Sequence, residues 1–227
     1  MVEILEKYDV LAAFWMTVYL AFFASIGSLL IGTVLAVMRV SPVGVLRGLG
    51  AFYVNTVRNT PLTLILLFCV LGVLYVLQVP LAPTDSPTSV RDNAIRWAIV
   101  GLSVYHAAFV CEALRSGVNT VPIGQAEAAR AIGLSFLPAA RIIILPQAFR
   151  GSVAPLGNVL IALIKNSTVT AAAGVATETS SLMKTMIEFD SDVIIAIFLT
   201  FAIGYVILVI PVGLATTALS RRLAVKR

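Results

Sequence analysis

The chain has 227 residues, of which 59% are hydrophobic and 12% charged, and a mean hydropathy of +1.01. A soluble domain carries roughly 25% charged residues, so much of this surface must face lipid; a disordered chain and a disulfide-stapled secreted domain are excluded. The formal net charge of +5 needs no nucleic acid, because anionic lipid headgroups attract a basic membrane face equally well.

A membrane-spanning helix needs about 20 apolar residues, and charges mark the gaps between candidates. Val10 to Met38, Asn59 to Thr84 and Val193 to Ser220 carry no charge. Ala94 to Leu114 spans if Arg96 and Glu112 sit at the two interfaces, and Gly151 to Thr177 is apolar apart from Lys165. The expectation is an all-α integral membrane protein, one transmembrane domain over 1–227. Its five spans are expected at about 10–38, 60–80, 94–114, 151–174 and 193–219. Glu3, Glu6 and Asp9 precede the first apolar run without a basic stretch, so that run is read as a retained helix rather than a cleaved signal peptide. Cys69 and Cys111 lie inside apolar runs and read as small buried hydrophobes rather than a bridge. One histidine and two cysteines make no zinc-type cluster. No GxxxxGK[ST] loop is present, so the chain is not expected to be an ATPase by itself.

Basic residues set the expected orientation. Eleven of the 16 Lys and Arg fall on one side: Arg39, Arg47 and Arg58; Arg115, Arg130, Arg141 and Arg150; and Arg221, Arg222, Lys226 and Arg227. The other side carries Lys7, Arg91, Arg96 and Lys184, with nine of the 11 acids, Glu178 and Asp190 among them. The basic side is expected to be cytoplasmic, with the N-terminus outside and the C-terminus inside. The turn-rich stretch 80–93 (Pro80, Pro83, Asp85, Pro87) reads as an external loop. In the first span Ala24, Ser28, Gly32 and Ala36 recur every four residues. That stripe suits close helix contact either within the bundle or at a subunit interface. Pro155 and Pro211 fall inside spans and are expected to kink them.

The segment between the third and fourth spans reads VPIGQAEAARAIGLSFLPAARIIILPQAFR, from Val121 to Arg150. Gln125 to Ile132 favours helix, and Gly133 is placed to stop it as the residue after the cap. Ser135 can cap a second helix, which Pro146 is expected to break before the fourth span. Taken alone, this is a cytoplasmic helical hairpin, and an interfacial amphipathic hairpin is its plain alternative. Its spacing says more. Glu127-Ala128-Ala129, then Gly133, Ile143 and Leu145-Pro146, resembles the EAA signature of ABC-importer permeases at every defined position. Arg58-Asn59-Thr60-Pro61-Leu62, Gly124-Gln125-Ala126-Glu127, Pro146-Gln147-Ala148 and Lys165-Asn166-Ser167-Thr168 resemble segments of the polar amino-acid branch. Met38 to Val43 and Leu223 to Lys226 are similar to the actinobacterial glutamate-permease subunits.

That resemblance implies a type I importer permease, one transmembrane half paired with a homologous permease or a second copy of itself. Two cytoplasmic ATP-binding subunits would dock on the coupling hairpin at 121–146, through Gln125, Glu127, Ala128, Ala129, Arg130, Gly133 and Leu134. An extracytoplasmic amino-acid-binding protein would deliver substrate. ATP and Mg would be held by the partner ATPase and no cofactor by this chain, which would be a transport subunit in the bacterial cell membrane and not an enzyme. Glutamate is the implied substrate.

Two polar groups in the spans are candidates for the substrate path. Lys165 lies 15 residues beyond Arg150, about 22 Å along a helix. A lysine at the bilayer centre costs about 2.5–3.5 kcal/mol on insertion scales. It either snorkels outward, pairs at a subunit interface, or lines the path with Asn166, Ser167 and Thr168. Asn158 lies seven residues earlier and shares its helix face. Arg58, Asn59, Thr60 and Thr63 form the second group: Thr60 could cap a helix begun by Pro61, and its N-terminus beside Arg58 would favour a carboxylate. Charge alone puts Arg58 near the cytoplasmic face, a conflict relieved if the helix is discontinuous. Glu112, Arg115 and His106 read as interface residues. A proton- or sodium-coupled secondary transporter is the competing class, and would carry more spans, repeats and buried carboxylates.

Overall fold

The computed structural model describes residues 7–223, and every regular element among them is helical. Glu3, Glu6, Lys226 and Arg227 of the charge argument, and the tail beyond Leu223, lie outside the described residues.

Helix α1 (Val10–Val40) carries Arg39 in its last turn, a cation suited to the negative end of a helix. Helix α2 (Gly44–Arg58) is amphipathic and stops at Asn59, whose side-chain amide donates to the Asn55 carbonyl at 2.7 Å. Helix α3 (Leu62–Leu67) continues as a π-helix over Phe68–Val76, closed by Gln78 in the left-handed region at φ 52°. Helix α4 (Ser89–Val118) follows the turn-rich loop that begins at Pro80. Asn93 pins that loop by accepting from the backbone N–H groups of Leu81 (2.7 Å) and Ala82 (2.9 Å).

Helix α5 (Ile123–Ala131) and helix α6 (Phe136–Ala139) form the hairpin. A π turn, Ala140–Ile144, then leads directly into α7 (Leu145–Asn166), which tightens to a 3₁₀ helix over Ser167–Ala173. Pro146 therefore does not break the chain, as its sequence position had led us to expect. The Leu145 N–H reaches back five residues to Ala140, and this widened turn accommodates a proline ring within a continuous helical path. The Gln147 side chain donates to the Ile143 carbonyl at 3.0 Å in the same turn. Helix α8 (Thr179–Phe189) and helix α9 (Ile194–Leu223) complete the order.

Among the described residues, four helical stretches are long and apolar enough to cross a membrane: Val10–Val40, Ser89–Val118, Phe136–Ala173 and Ser191–Leu223. The pair Gly44–Arg58 and Leu62–Val76 supplies a fifth when counted as one broken span. Only 11% of the most apolar window of the last span is buried, so Ile195, Phe198, Ile203, Ile207 and Leu214 present an apolar face suited to lipid.

The chain divides into two compact units. Unit 1 comprises Met1–Gly27, Thr60–Ser103 and Ala162–Pro211; unit 2 comprises Ser28–Asn59, Val104–Ile161 and Val212–Arg227. Within unit 1, Val10, Met186, Ile197 and Phe201 form a core, with Phe14 and Leu182 against it. Gly204 is required there because a Cβ would stand 2.1 Å from the Phe14 ring. Within unit 2 the core is Leu35, Ala36, Val54, Ala107, Ala108, Val110, Cys111 and Leu114. The small-residue stripe of α1 serves internal packing in both units. Ser103 reaches the Ala24 carbonyl in unit 1, and Gly32 lies against Val110 and Ala107 in unit 2. Cys69 and Cys111 are buried free thiols.

Candidate coupling hairpin and substrate path

Helix α5 has Ile132 at its C-cap, followed by Gly133 at φ +83°. The Gly133 N–H bonds to the Arg130 carbonyl (2.9 Å) and the Leu134 N–H to Ala129 (3.0 Å). These two bonds make a Schellman turn, which needs a residue at positive φ and so favours glycine. Ser135 occupies the N-cap of α6, but its side chain makes no cap bond; its carbonyl accepts from the Ala139 N–H at 3.1 Å instead. Gln125, Glu127, Ala128 and Arg130 are exposed on the hairpin, Leu134 is half-buried, and Ala129 is buried. Ala129 is buried within unit 2, and Ala128 is the small residue left facing outward. Beneath the hairpin lies a cavity of about 520 Å³ whose lining includes Val37, Val40, Ala126, Arg130, Leu134 and Phe136.

In unit 1 the two stretches singled out for the substrate path come together. Helix α3, which starts just after Thr60, packs against the 3₁₀ helix 167–173, which starts just after Lys165. Pro61, not Thr60, is the N-cap of α3: at ψ 134° it is extended, so it flanks the helix instead of starting it. Thr63 and Lys165 are exposed, and Asn166 and Thr168 half-buried. Ser167 is fully buried, so its hydroxyl cannot line an open path.

Three hydroxyls hold the end of α7 where the α-helix gives way to the 3₁₀ helix. Ser167 donates to the Ile164 carbonyl (2.8 Å), Thr168 to Lys165 (2.8 Å) and Thr170 to Ser167 (2.7 Å). They occupy carbonyls that the end of a helix leaves free. Asn158 is exposed two turns earlier on α7.

Arg58 and Asn59 belong to unit 2. Arg58 lies 5.6 Å from the centre of the Phe109 ring and 3.9 Å from the Glu112 carboxylate. Glu112 also pairs with Arg39 and stands 3.7 Å from Arg115. Part of the Arg58 charge is thus already balanced. His106 is buried among unit 2 aromatics rather than at a surface, edge-on to Tyr105 at 5.1 Å.

The sequence reading counted Glu178 among the external acids. It is in fact fully buried in unit 1, where it caps α8 by accepting from the Ser180 N–H at 2.8 Å and from the Thr179 hydroxyl. Burial pushes its carboxyl above the usual range, against the opposing pull of those hydrogen bonds. Thr179 in turn touches the Tyr205 hydroxyl at 2.5 Å and the Thr17 hydroxyl at 3.3 Å. No motif marked Thr17, Glu178, Thr179 or Tyr205. The available signal was an acid beside two hydroxyl residues at a helix start, the pattern of a cap. No group of three or more His, Cys, Asp or Glu able to hold a metal occurs among the described residues.

Residues 28–225 match the family model described as binding-protein-dependent transport system inner membrane component. The chain belongs to this family. It is also 50% identical over 219 residues to the glutamate transport system permease protein of Corynebacterium efficiens, covering 96% of each chain. The protein of the same name from Corynebacterium glutamicum gives the same identity and coverage. Among solved structures, an amino acid ABC transporter crystallised with histidines superposes with a TM-score of 0.78 at 24% identity, over 96% of each chain. The last likeness establishes the fold.

The permease is therefore a multi-pass inner-membrane transport subunit of an ABC importer, and its resemblance to the polar amino-acid branch is borne out. Its family works with a binding protein, and ATP hydrolysis falls to a separate chain. A secondary transporter driven by protons or sodium is not favoured.

Proposed function

We propose that this permease forms one transmembrane half of an ATP-driven importer of an acidic amino acid, glutamate, and that Lys165 lines the path. The packing of α3 against the 3₁₀ helix 167–173 supports this most directly. It joins, within one unit, two segments more than a hundred positions apart that each resemble the polar amino-acid branch. Thr60, Thr63, Asn166 and Thr168 supply hydrogen-bonding neighbours, with Ser167 behind them. An exposed ammonium in a span is costly unless something compensates it, and a carboxylate in transit does so. Arg58, Asn59 and Asn158, all exposed, are the path residues proposed within unit 2 itself. The glutamate permeases at 50% identity point to the same substrate.

In this reading two ATP-binding subunits dock on the hairpin at Gln125, Glu127, Ala128, Arg130 and Leu134, and they alone hold ATP and Mg. Their closure pushes a turn fixed by Gly133 and switches the permease between inward- and outward-facing states. A homologous permease, or a second copy, completes the pathway, and the N-terminus faces outward. Lys165→Met removes the charge and keeps the length. Uptake of glutamate by the reconstituted transporter should fall at least tenfold, roughly the loss of one charge-assisted hydrogen bond, while Lys165→Arg keeps part of it. Wild-type uptake by Lys165→Met would place the lysine at the headgroups instead.

A further inference from the structure

Helix α2 presents two unlike faces in unit 2. On the packed face Val54 enters the core, with Tyr53 and Val57 against it, and Gly50 lies against Arg39 and Met38. On the other, Val45, Leu49 and Phe52 recur at helical spacing and are 72%, 55% and 71% exposed. At 15 residues and about 22 Å, α2 is too short to cross a bilayer alone, and its neighbours show which way it runs. Helices α1 and α4 lie side by side in the same sense: Gly32 is against Ala107 and Val110, and Arg39 pairs with Glu112. A helix climbing back from the end of α1 would meet α4 at ever earlier positions, and α2 does the reverse. The Tyr53 hydroxyl donates to the Val104 carbonyl at 2.8 Å, whereas Arg58, further along α2, faces Phe109 and Glu112. Helix α2 therefore lies crosswise over the C-terminal parts of α1 and α4.

We propose that α2 is an interfacial helix that binds an anionic phospholipid, with Val45, Leu49 and Phe52 in the acyl-chain boundary and the Arg47 guanidinium on the headgroup phosphate. A helix with one apolar and one basic face settles in the plane of the membrane interface. Arg47 comes two positions after Val45, about 200° around the helix, so it rises to the headgroups when Val45 sinks. The stretch 39–58 holds three arginines and no acid. Glu112 serves Arg39 and Arg58, but Arg47 takes part in none of the ion pairs among the described residues. It is exposed and donates to the Ser41 carbonyl at 3.2 Å, which leaves most of the N–H groups of the guanidinium for an anion. Free phosphate would satisfy the arginine and leave the apolar face bare. A lipid without net charge would cover that face and leave Arg47 unbalanced. An anionic lipid does both. Arg47 has no place in the substrate path, so the proposal stands apart from the reading of Lys165.

The test uses the whole transporter in phosphatidylcholine vesicles containing phosphatidylglycerol. Val45→Cys and Phe52→Cys each carry a fluorophore, quenched by lipids with a nitroxide at shallow or deep chain positions; the unsubstituted transporter, treated alike, is the blank. Both probes should report the same shallow depth, whereas a crossing helix would separate them by about 10 Å, seven residues along an α-helix. Around Phe52→Cys, nitroxide-labelled phosphatidylglycerol should be enriched about fivefold over labelled phosphatidylcholine, the effect of one arginine near the surface. Adding Arg47→Gln should bring the two lipids to parity. Leu49→Cys and Thr56→Cys, exposed on the same face, repeat the measurement should either of the first pair fail to assemble. Separated depths, equal quenching by both lipids when Arg47 is present, or a preference unchanged by Arg47→Gln would each overturn the proposal. So would quenching by neither lipid, which would mean that a protein partner covers this face.

Discussion

Arg39 and Glu112, 73 positions apart, are ion-paired within unit 2, and Glu112 is the acid that three arginines share. Arg39 is the most enclosed of the three, its side chain 13% exposed against 44% for Arg58 and 43% for Arg115. The two partners are therefore not equivalent. Glu112→Gln leaves three guanidinium groups facing one another, one of them nearly out of water. Removing one partner of a fully buried pair costs about 3–5 kcal/mol; with Glu112 itself 30% exposed, about 2 kcal/mol is expected here. Arg39→Gln should cost less, since Glu112 keeps Arg58 and Arg115. Thermal unfolding in detergent should rank the variants in that order, and equal losses would mean that Glu112 serves Arg39 alone.

Gly133→Val tests the hairpin. A Cβ at Gly133 meets nothing within 4 Å, so the cost is conformational: about 1–2 kcal/mol for an L-residue in the left-handed region, more for a β-branched one. The Schellman turn should open and redirect Ser135 and α6. Membrane insertion should persist while uptake is lost, with Gly133→Asn in between because asparagine tolerates positive φ. Normal uptake by Gly133→Val at equal membrane abundance would show that the turn does not transmit movement.

How legible these features were depended on what kind of force made them. The Gly133 turn was readable because only glycine takes that φ easily, and the spans because uncharged runs have few alternatives. The burial of Glu178 was not. An acid between two spans looks like loop charge, and its burial depends on the Thr179 hydroxyl and the Ser180 N–H replacing water. Pro146 misled in the opposite direction, since the π turn that absorbs it involves no distinctive residue. Ser167 sits in a motif that pointed to substrate, yet the tertiary packing of α3 turns its hydroxyl inward. Ala128 and Ala129 look alike in the sequence, and only the helix's docking decides which one is covered.

Orientation is checked by labelling. Asp85 is exposed in the loop before α4, and Ser220 lies near the end of α9. Asp85→Cys should react with an impermeant thiol reagent in intact cells, and Ser220→Cys only after permeabilisation. Cys69 and Cys111 are buried, so the native background is low. The reverse pattern would invert the charge argument.

Glu178 should leave a signature in the pH dependence of stability. Its carboxyl is raised above 4.5, first by burial. An acid with a raised value in the folded state favours the protonated fold. Its contribution is thus fully present below pH 4.5 and is lost as pH rises through the folded value. Asp190, bonded to Lys7 and Tyr8, is lowered below 3.8, so its own contribution is lost only in stronger acid and cancels between variants that both keep it. Glu178→Gln preserves an acceptor for the Ser180 N–H and cannot titrate. The unfolding temperature of wild type minus that of Glu178→Gln should be most positive in acid and fall toward alkaline pH. A difference that stays constant across that range would mean the carboxyl titrates alike in the folded and unfolded chain, and that water reaches it in the folded protein.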